Sequence, residues 1–124
     1  MRELGELIGE HIPYVQDYLA EAPRTLVHGD FRLGNMFFTR IGEEPAMAVL
    51  DWQAYRCGKG AYDAAFFIAM VVDPGHHSSD GIQLLRNYHS SLGDNGVLDY
   101  SFEQCLIDYR MTLLERTTFA VRAL

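Results

Sequence analysis

Lysine is almost absent from this chain: Lys59 is the only one among 124 residues. Ten basic residues stand against seventeen acidic ones, a net charge of -7. Nucleic-acid binding relies on Lys and Arg to neutralise phosphates, so this balance argues against a nucleic-acid partner. It would suit a cationic substrate, although solubility is the more ordinary consequence of an acidic surface. Long apolar runs are missing too. No stretch approaches the ~18 consecutive apolar residues of a membrane span, which argues against a membrane protein. The N-terminal MRELGELIGEHI is amphipathic and acidic, without the basic start and apolar centre of a signal peptide. The two cysteines, Cys57 and Cys105, are far apart and match no metal-binding spacing. A reduced, cytoplasmic setting is the expectation. Internal repeats, low-complexity segments and linkers are also lacking.

What is present fits one domain at most, long enough to bury a real core. Leu4, Leu7, Ile8, Ile12, Val15 and Leu19 recur at helical spacing. Pro13 interrupts them and predicts two short helices, or one whose second piece has Pro13 in its first turn. Thr25 to Val27 are strand-like, and Asn35 to Arg40 form a second β-prone stretch. Gly42-Glu43-Glu44-Pro45 reads as a turn, and Ala46 to Leu50 as a third strand, so a β-hairpin is expected from about 35 to 51. Gln53 to Gly60 read as a flexible polar loop. Asp63 precedes AAFFIAMVV, an apolar helix expected to be buried and capped by the Asp63 carboxylate. Asp73 to Ser79 read as a loop. Ile82, Leu85, Tyr88 and Leu92 mark an amphipathic helix closed by Gly93, with a turn over Gly93-Asp94-Asn95-Gly96. From Ser101, a cap, to Leu124 one long helix carries Phe102, Leu106, Tyr109, Leu113 and Ala120 on one face, its acids on a solvated face. No Gly, Asn or Pro stops that helix, so the chain reads as cut.

Chemistry concentrates in LVHGDFRLGNMFF, residues Leu26 to Phe38. Asp30 leaves the first strand, and Asn35 opens the next one five positions later. The returning strand of the hairpin brings Asp51 alongside Asn35. An amide oxygen and a carboxylate at one loop mouth form a hard-oxygen site suited to Mg²⁺, which takes few protein ligands and completes its shell with water and phosphate. Asp30, set apart from that pair, is free to accept a proton from an attacking hydroxyl. Phosphoryl transfer asks for this division, being mostly positioning and charge neutralisation. Each residue also has a plainer reading, since Asp and Asn are common turn formers that satisfy backbone donors. Trp52 reads as a packing residue rather than an acceptor platform. His76-His77-x-x-Asp80 reads as a polar loop rather than a metal site.

The linked motifs His28-Gly29-Asp30-x-x-x-x-Asn35, Val49-Leu50-Asp51-Trp52-Gln53 and Gly60-Ala61-Tyr62-Asp63-Ala64-Ala65 resemble the aminoglycoside phosphotransferase and choline kinase-like family. Arg32 and the Asp-Trp-Gln ending look closest to its branch of bacterial phosphotransferases and ecdysteroid-kinase-like proteins. The resemblance is specific from about Thr25 to Phe67. It implies an α+β, mainly helical fold: the large-lobe core of a protein kinase-like fold, with one β-hairpin carrying the site. It implies Asp30 as catalytic base, Asn35 and Asp51 as Mg²⁺ ligands, and ATP or GTP as donor to a hydroxyl of a small molecule. It also implies that His28 orders the loop and that Asp63 braces it. Arg32 reads equally as a phosphate contact or a surface salt bridge.

Kinases of this fold also have a small lobe with a phosphate-covering loop and a strand Lys paired to a helix Glu. Residues 1 to 24 contain no lysine, no Gly-rich loop and no β-rich stretch, and Lys59 lies downstream of the site. The expectation is a single partial domain over 1–124, without its nucleotide-binding lobe and inactive alone. Two rivals remain: a non-catalytic binding module that keeps the helical lobe, and a metal-dependent hydrolase using His28, Asp30 and Asp51. The second ranks last, because Asn35 is a poor ligand for transition metals.

Overall fold

A computed structural model describes residues 2–122, with side chains over 9–118. Helix α1 (Arg2–Ala20) leads into strand β1 (Thr25–Val27), the hairpin β2 (Met36–Ile41) and β3 (Glu44–Val49), and strand β4 (Arg56–Gly58). Helices α2 (Ala61–Val71), α3 (Ile82–Asp94) and α4 (Phe102–Arg122) follow. The fold is α+β, with two small antiparallel sheets, β1–β4 and β2–β3.

The core lies where α2, α3 and α4 meet. Ala61, Ala65 and Ile68 of α2, Leu85 of α3, and Cys105 and Tyr109 of α4 are all buried. Ala61 and Ala65, one turn apart, present almost no side chain, which lets α4 approach α2 closely. Phe102, Leu106 and Leu113 pack against this cluster, as the periodicity of α4 requires; Ala120 lies outside the described side chains, as do Leu4, Leu7 and Ile8 of α1. The Ser101 hydroxyl accepts from the Gln104 N–H at 3.1 Å and caps α4. α2 buries only one face, for Met70 and Val71 are exposed.

Several local expectations are corrected. Pro13 does not divide the first helix: α1 runs through it. The bond lost at Pro13 is outweighed because Ile12 and Val15 are both buried, and α1 packs along α4. The hairpin turn is only Gly42-Glu43, with Gly42 at φ 65°, and Pro45 belongs to β3 opposite Arg40. The segment 53–60 is not a flexible loop. It forms a 3₁₀ turn over Trp52–Ala54 and then β4, which pairs Gly58 with Thr25 and Arg56 with Val27. β1 would otherwise leave its backbone groups unpaired, and a three-residue partner from a polar stretch leaves little trace in periodicity. Residues Pro74–His76 and His77–Gly81 form 3₁₀ and π-helical turns rather than open loop, and α3 runs on through Gly93 to Asp94.

The acids of α4 are not all on a solvated face. Asp108 is 1% exposed. It accepts from the Tyr18 hydroxyl at 2.6 Å, the Tyr100 hydroxyl at 2.8 Å and Gln104 Nε2 at 3.0 Å. A buried carboxylate is tolerable only when hydrogen-bonded in this way. The cluster ties the end of α1 and the α3–α4 connection to α4. Lys59, also buried, donates to the Ala22 carbonyl at 3.3 Å and lies over the Tyr18 ring. It therefore fastens the chain leaving α1.

Burial, then the bond to Asp108, pushes the Tyr18 hydroxyl up to about 12. Its raised value means that its contribution is complete below the ordinary tyrosine value of about 10, and is lost as pH rises through 12. A fall in stability between those limits, measured by urea unfolding alongside tyrosinate absorbance, is the expected outcome. Asp108→Ala, which strands three donors, should lower stability by about 2–4 kcal/mol in thermal or urea unfolding.

Candidate active site

The loop after β1 is shaped by a glycine that no other residue could replace without movement. Gly29 has φ +85°, and a Cβ there would lie 2.3 Å from the Ala54 carbonyl oxygen. The N–H groups of His28 and Gly29 turn toward α2, where the Asp63 carboxylate accepts both, at 2.6 and 2.9 Å. This corrects the expectation that Asp63 caps its own helix: α2 has no side-chain cap. The carboxylate takes buried loop donors instead, because the first-turn donors of a helix can be met in other ways.

His28 is buried, with its ring edge toward Trp52 at 4.7 Å between centroids. Its Nδ1 accepts from the Asp30 N–H at 3.2 Å, and its Nε2 lies 2.8 Å from the Leu50 carbonyl. Those partners require the Nε2–H tautomer, with His28 donating to Leu50. The ring thus bridges the 28–35 loop and the end of β3. Trp52 is half-exposed and donates through Nε1 to the Val49 carbonyl at 3.0 Å.

Asp30 is held on one oxygen. Oδ2 accepts from Arg32 Nε at 3.1 Å and from Asn35 Nδ2 at 2.9 Å. Partial burial works to raise its pKa, but donation from Arg32 and Asn35, with the charges of Arg32 and Arg116, outweighs it and holds the carboxyl below its ordinary value. Asp30 is therefore a carboxylate at neutral pH, and among the described contacts Oδ1 has no partner. Arg32 forms an ion pair with Asp30.

Asn35 closes a 3₁₀ turn, Leu33–Asn35, and is 6% exposed. Its Nδ2 also donates to the Asp30 carbonyl at 2.9 Å, and its own carbonyl accepts from Leu50 N–H at 2.8 Å. With the amide nitrogen committed, the side-chain oxygen is the atom left for a cation. Register puts Leu50 opposite Asn35, so Asp51 is the next residue out. Asp51 takes the left-handed conformation, φ 62° and ψ 61°, unusual for a residue with a side chain and typical of functional sites. Asp51 is exposed, and its carboxylate has one long contact, to Gln53 Nε2 at 3.4 Å. An amide oxygen and a loosely held carboxylate fit Mg²⁺, which leaves most of its shell to water and phosphate. Among the described residues no cluster of three His, Cys, Asp or Glu could hold a metal. His77 bonds the Val72 carbonyl, His76 approaches Asp73, and Asp80 accepts from Ser79.

The sequence model of the phosphotransferase enzyme family (APH) matches residues 2–97. The chain belongs to the phosphotransferase enzyme family. No curated protein and no solved structure matches it. The match to the phosphotransferase family includes the 28–35 loop, the hairpin and Asp63, but stops short of α4.

Sequence reasoning missed Arg116 on α4. Its Nη2 donates to the Gly29 carbonyl at 2.7 Å, and its guanidinium lies over the Phe66 ring at 3.7 Å. The available signal was a charge recurring with Cys105, Asp108, Tyr109 and Thr112 on the buried stripe of the helix. For this site, Asp63→Ala should cost about 2–4 kcal/mol. Amide exchange at His28 and Gly29 should accelerate more than elsewhere, and Asp63→Asn should show a smaller effect because it keeps one acceptor.

Proposed function

We propose that this chain supplies the catalytic loop and metal site of a Mg²⁺-dependent O-phosphotransferase, with ATP or GTP as donor and a small-molecule hydroxyl as acceptor. One observation carries the reading: the Asn35 amide nitrogen bridges the carbonyl and carboxylate of Asp30, while the Asn35 carbonyl bonds to the residue before Asp51. That arrangement supports Asp30 as base on one side and Asn35 with Asp51 as metal ligands on the other. Mg²⁺ would neutralise the transferring phosphate, and Asp30 Oδ1 would orient and accept the acceptor's proton. Arg32, now on Asp30, is within the loop that would meet phosphate and could exchange one anion for another. His28 and Asp63 hold the loop without touching substrate. The Asp-Trp-Gln ending and Arg32 favour the bacterial phosphotransferase and ecdysteroid-kinase-like branch.

On this reading the nucleotide-gripping contacts would come from a small lobe, the part of a kinase-like fold that pairs a strand Lys with a helix Glu. Lys59, the single lysine, is buried, donating to the Ala22 carbonyl and lying over the Tyr18 ring, away from the 28–35 loop. Phe37, Phe38, Ile41 and Met47 leave the hairpin with an exposed apolar surface, which suits cover by a lobe and a nucleotide base. The acceptor would lie against the helices after residue 60. No described helix is long and apolar enough to cross a membrane, and a cytoplasmic setting fits the two free thiols.

Calorimetric titration of the 124-residue chain with Mg²⁺-nucleotide should show weak binding at millimolar concentrations that disappears in Asp51→Ala. Absence of binding would favour the non-catalytic module instead. The chain alone should give no turnover, because metal ligands without a triphosphate grip do not hold the donor in line. Mg²⁺-dependent transfer by the isolated chain, abolished in Asp30→Asn, would overturn that expectation and establish a self-sufficient enzyme.

A further inference from the structure

The peptide between Gly29 and Asp30 is held at both polar ends. Its N–H, that of Asp30, donates to His28 Nδ1 at 3.2 Å. Its carbonyl, that of Gly29, accepts from Arg116 Nη2 at 2.7 Å. The preceding peptide is held as well, since the Gly29 N–H donates to Asp63 at 2.9 Å. A glycine in a left-handed conformation has unusual freedom to rotate these planes, and rotation about Asp30's amide swings the direction of its side chain. The two clamps come from opposite charges on different helices, Asp63 on α2 and Arg116 on α4.

Arg116 is itself fixed by stacking. Its guanidinium lies 3.7 Å from the Phe66 ring centroid and 5.0 Å from that of Tyr62, two α2 residues one turn apart that flank Asp63. Planar stacking with an in-plane donor is a property of arginine that lysine cannot reproduce fully. Packing alone does not account for it. Among the described residues Nε is buried without a partner, and a neutral side chain would avoid that cost. Arg116 also lies outside the stretch matched by the family, which ends at residue 97.

We propose that Arg116 is a positioning residue of the catalytic loop, through which α4 sets the orientation of the Gly29–Asp30 peptide and so the direction of the Asp30 carboxylate. Its catalytic meaning rests on the reading of Asp30 as base. The contact reaches no substrate atom and acts through the backbone.

The test is amide hydrogen exchange, residue by residue, on the isotope-labelled 124-residue chain and its R116M and R116K variants. R116M keeps an apolar stem on Phe66 but removes donor and charge. About tenfold faster exchange at Gly29 and Asp30 is expected, since a charge-assisted bond to the loop is lost. Amides of β2, β3 and the middle of α4 should keep wild-type rates, and R116K should restore most of the loop protection. Unchanged rates at Gly29 and Asp30, or equal acceleration throughout the chain, would overturn the proposal and leave Arg116 a packing residue. Should R116M not fold, R116Q, shorter and uncharged, decides the matter against wild type. A carbonyl chemical-shift change confined to Gly29 and its neighbours supports positioning, and no local change overturns it. No nucleotide or acceptor enters this measurement. Failure of Mg²⁺-nucleotide binding would remove the catalytic meaning while leaving the clamp, and failure here would leave the phosphotransferase reading untouched.

Discussion

At the end of β1 the chain turns sharply, and the N–H groups of His28 and Gly29 face α2. The Asp63 carboxylate meets both. Everything that makes the loop useful follows from this contact. With those donors satisfied, Gly29 can hold its left-handed conformation against Ala54, His28 can reach the Leu50 carbonyl, and Asp30 is delivered facing Asn35. A residue without a side-chain acceptor at 63 would leave two backbone donors to find other partners, and the loop would relax toward whatever conformation supplied them.

The interior of this acidic protein is organised by a few ionisable side chains, each with a specific backbone or side-chain target. Asp63 holds loop amides, Arg116 a loop carbonyl, Lys59 the carbonyl of Ala22, and Asp108 two tyrosines and a glutamine. The apolar contacts of α2, α3 and α4 supply most of the cohesion, but they are compatible with many small rotations of one helix on another. The directed bonds select among those rotations. Because the loop is gripped from both α2 and α4, a shift between these helices is transmitted to Asp30.

The site itself combines fixed and free groups in a way that suits transfer of a charged phosphoryl group. Asn35 is immobilised by bonds at its amide nitrogen and its carbonyl, whereas the Asp51 carboxylate is nearly unrestrained on a left-handed backbone. One oxygen of Asp30 is tied and the other is open. On the proposed reading, a held amide and an exposed carboxylate would receive a cation together, and Asp30, tied on one oxygen, would keep its other oxygen aimed at the acceptor.

Helical spacing alone located α3 and α4, β-prone and apolar runs with turn residues located the hairpin, and Ser101 marked where α4 begins. The interval from Asp30 to Asn35 and the placement of Asp51 just beyond the end of the hairpin were equally readable, because hairpin register is a local property of spacing and turn. Pairing of β4 with β1, the passage of α1 through Pro13, the burial of Asp108 and the reach of Arg116 to Gly29 were not. Each joins residues far apart in the chain, and its signal is a contact rather than a pattern. The sequence by itself determined which chemical groups stand at the loop and in what order. Only the tertiary structure decided which carboxylate braces the loop, which binds buried tyrosines and which remains open to solvent, since a carboxylate's role depends on the donors that folding places around it.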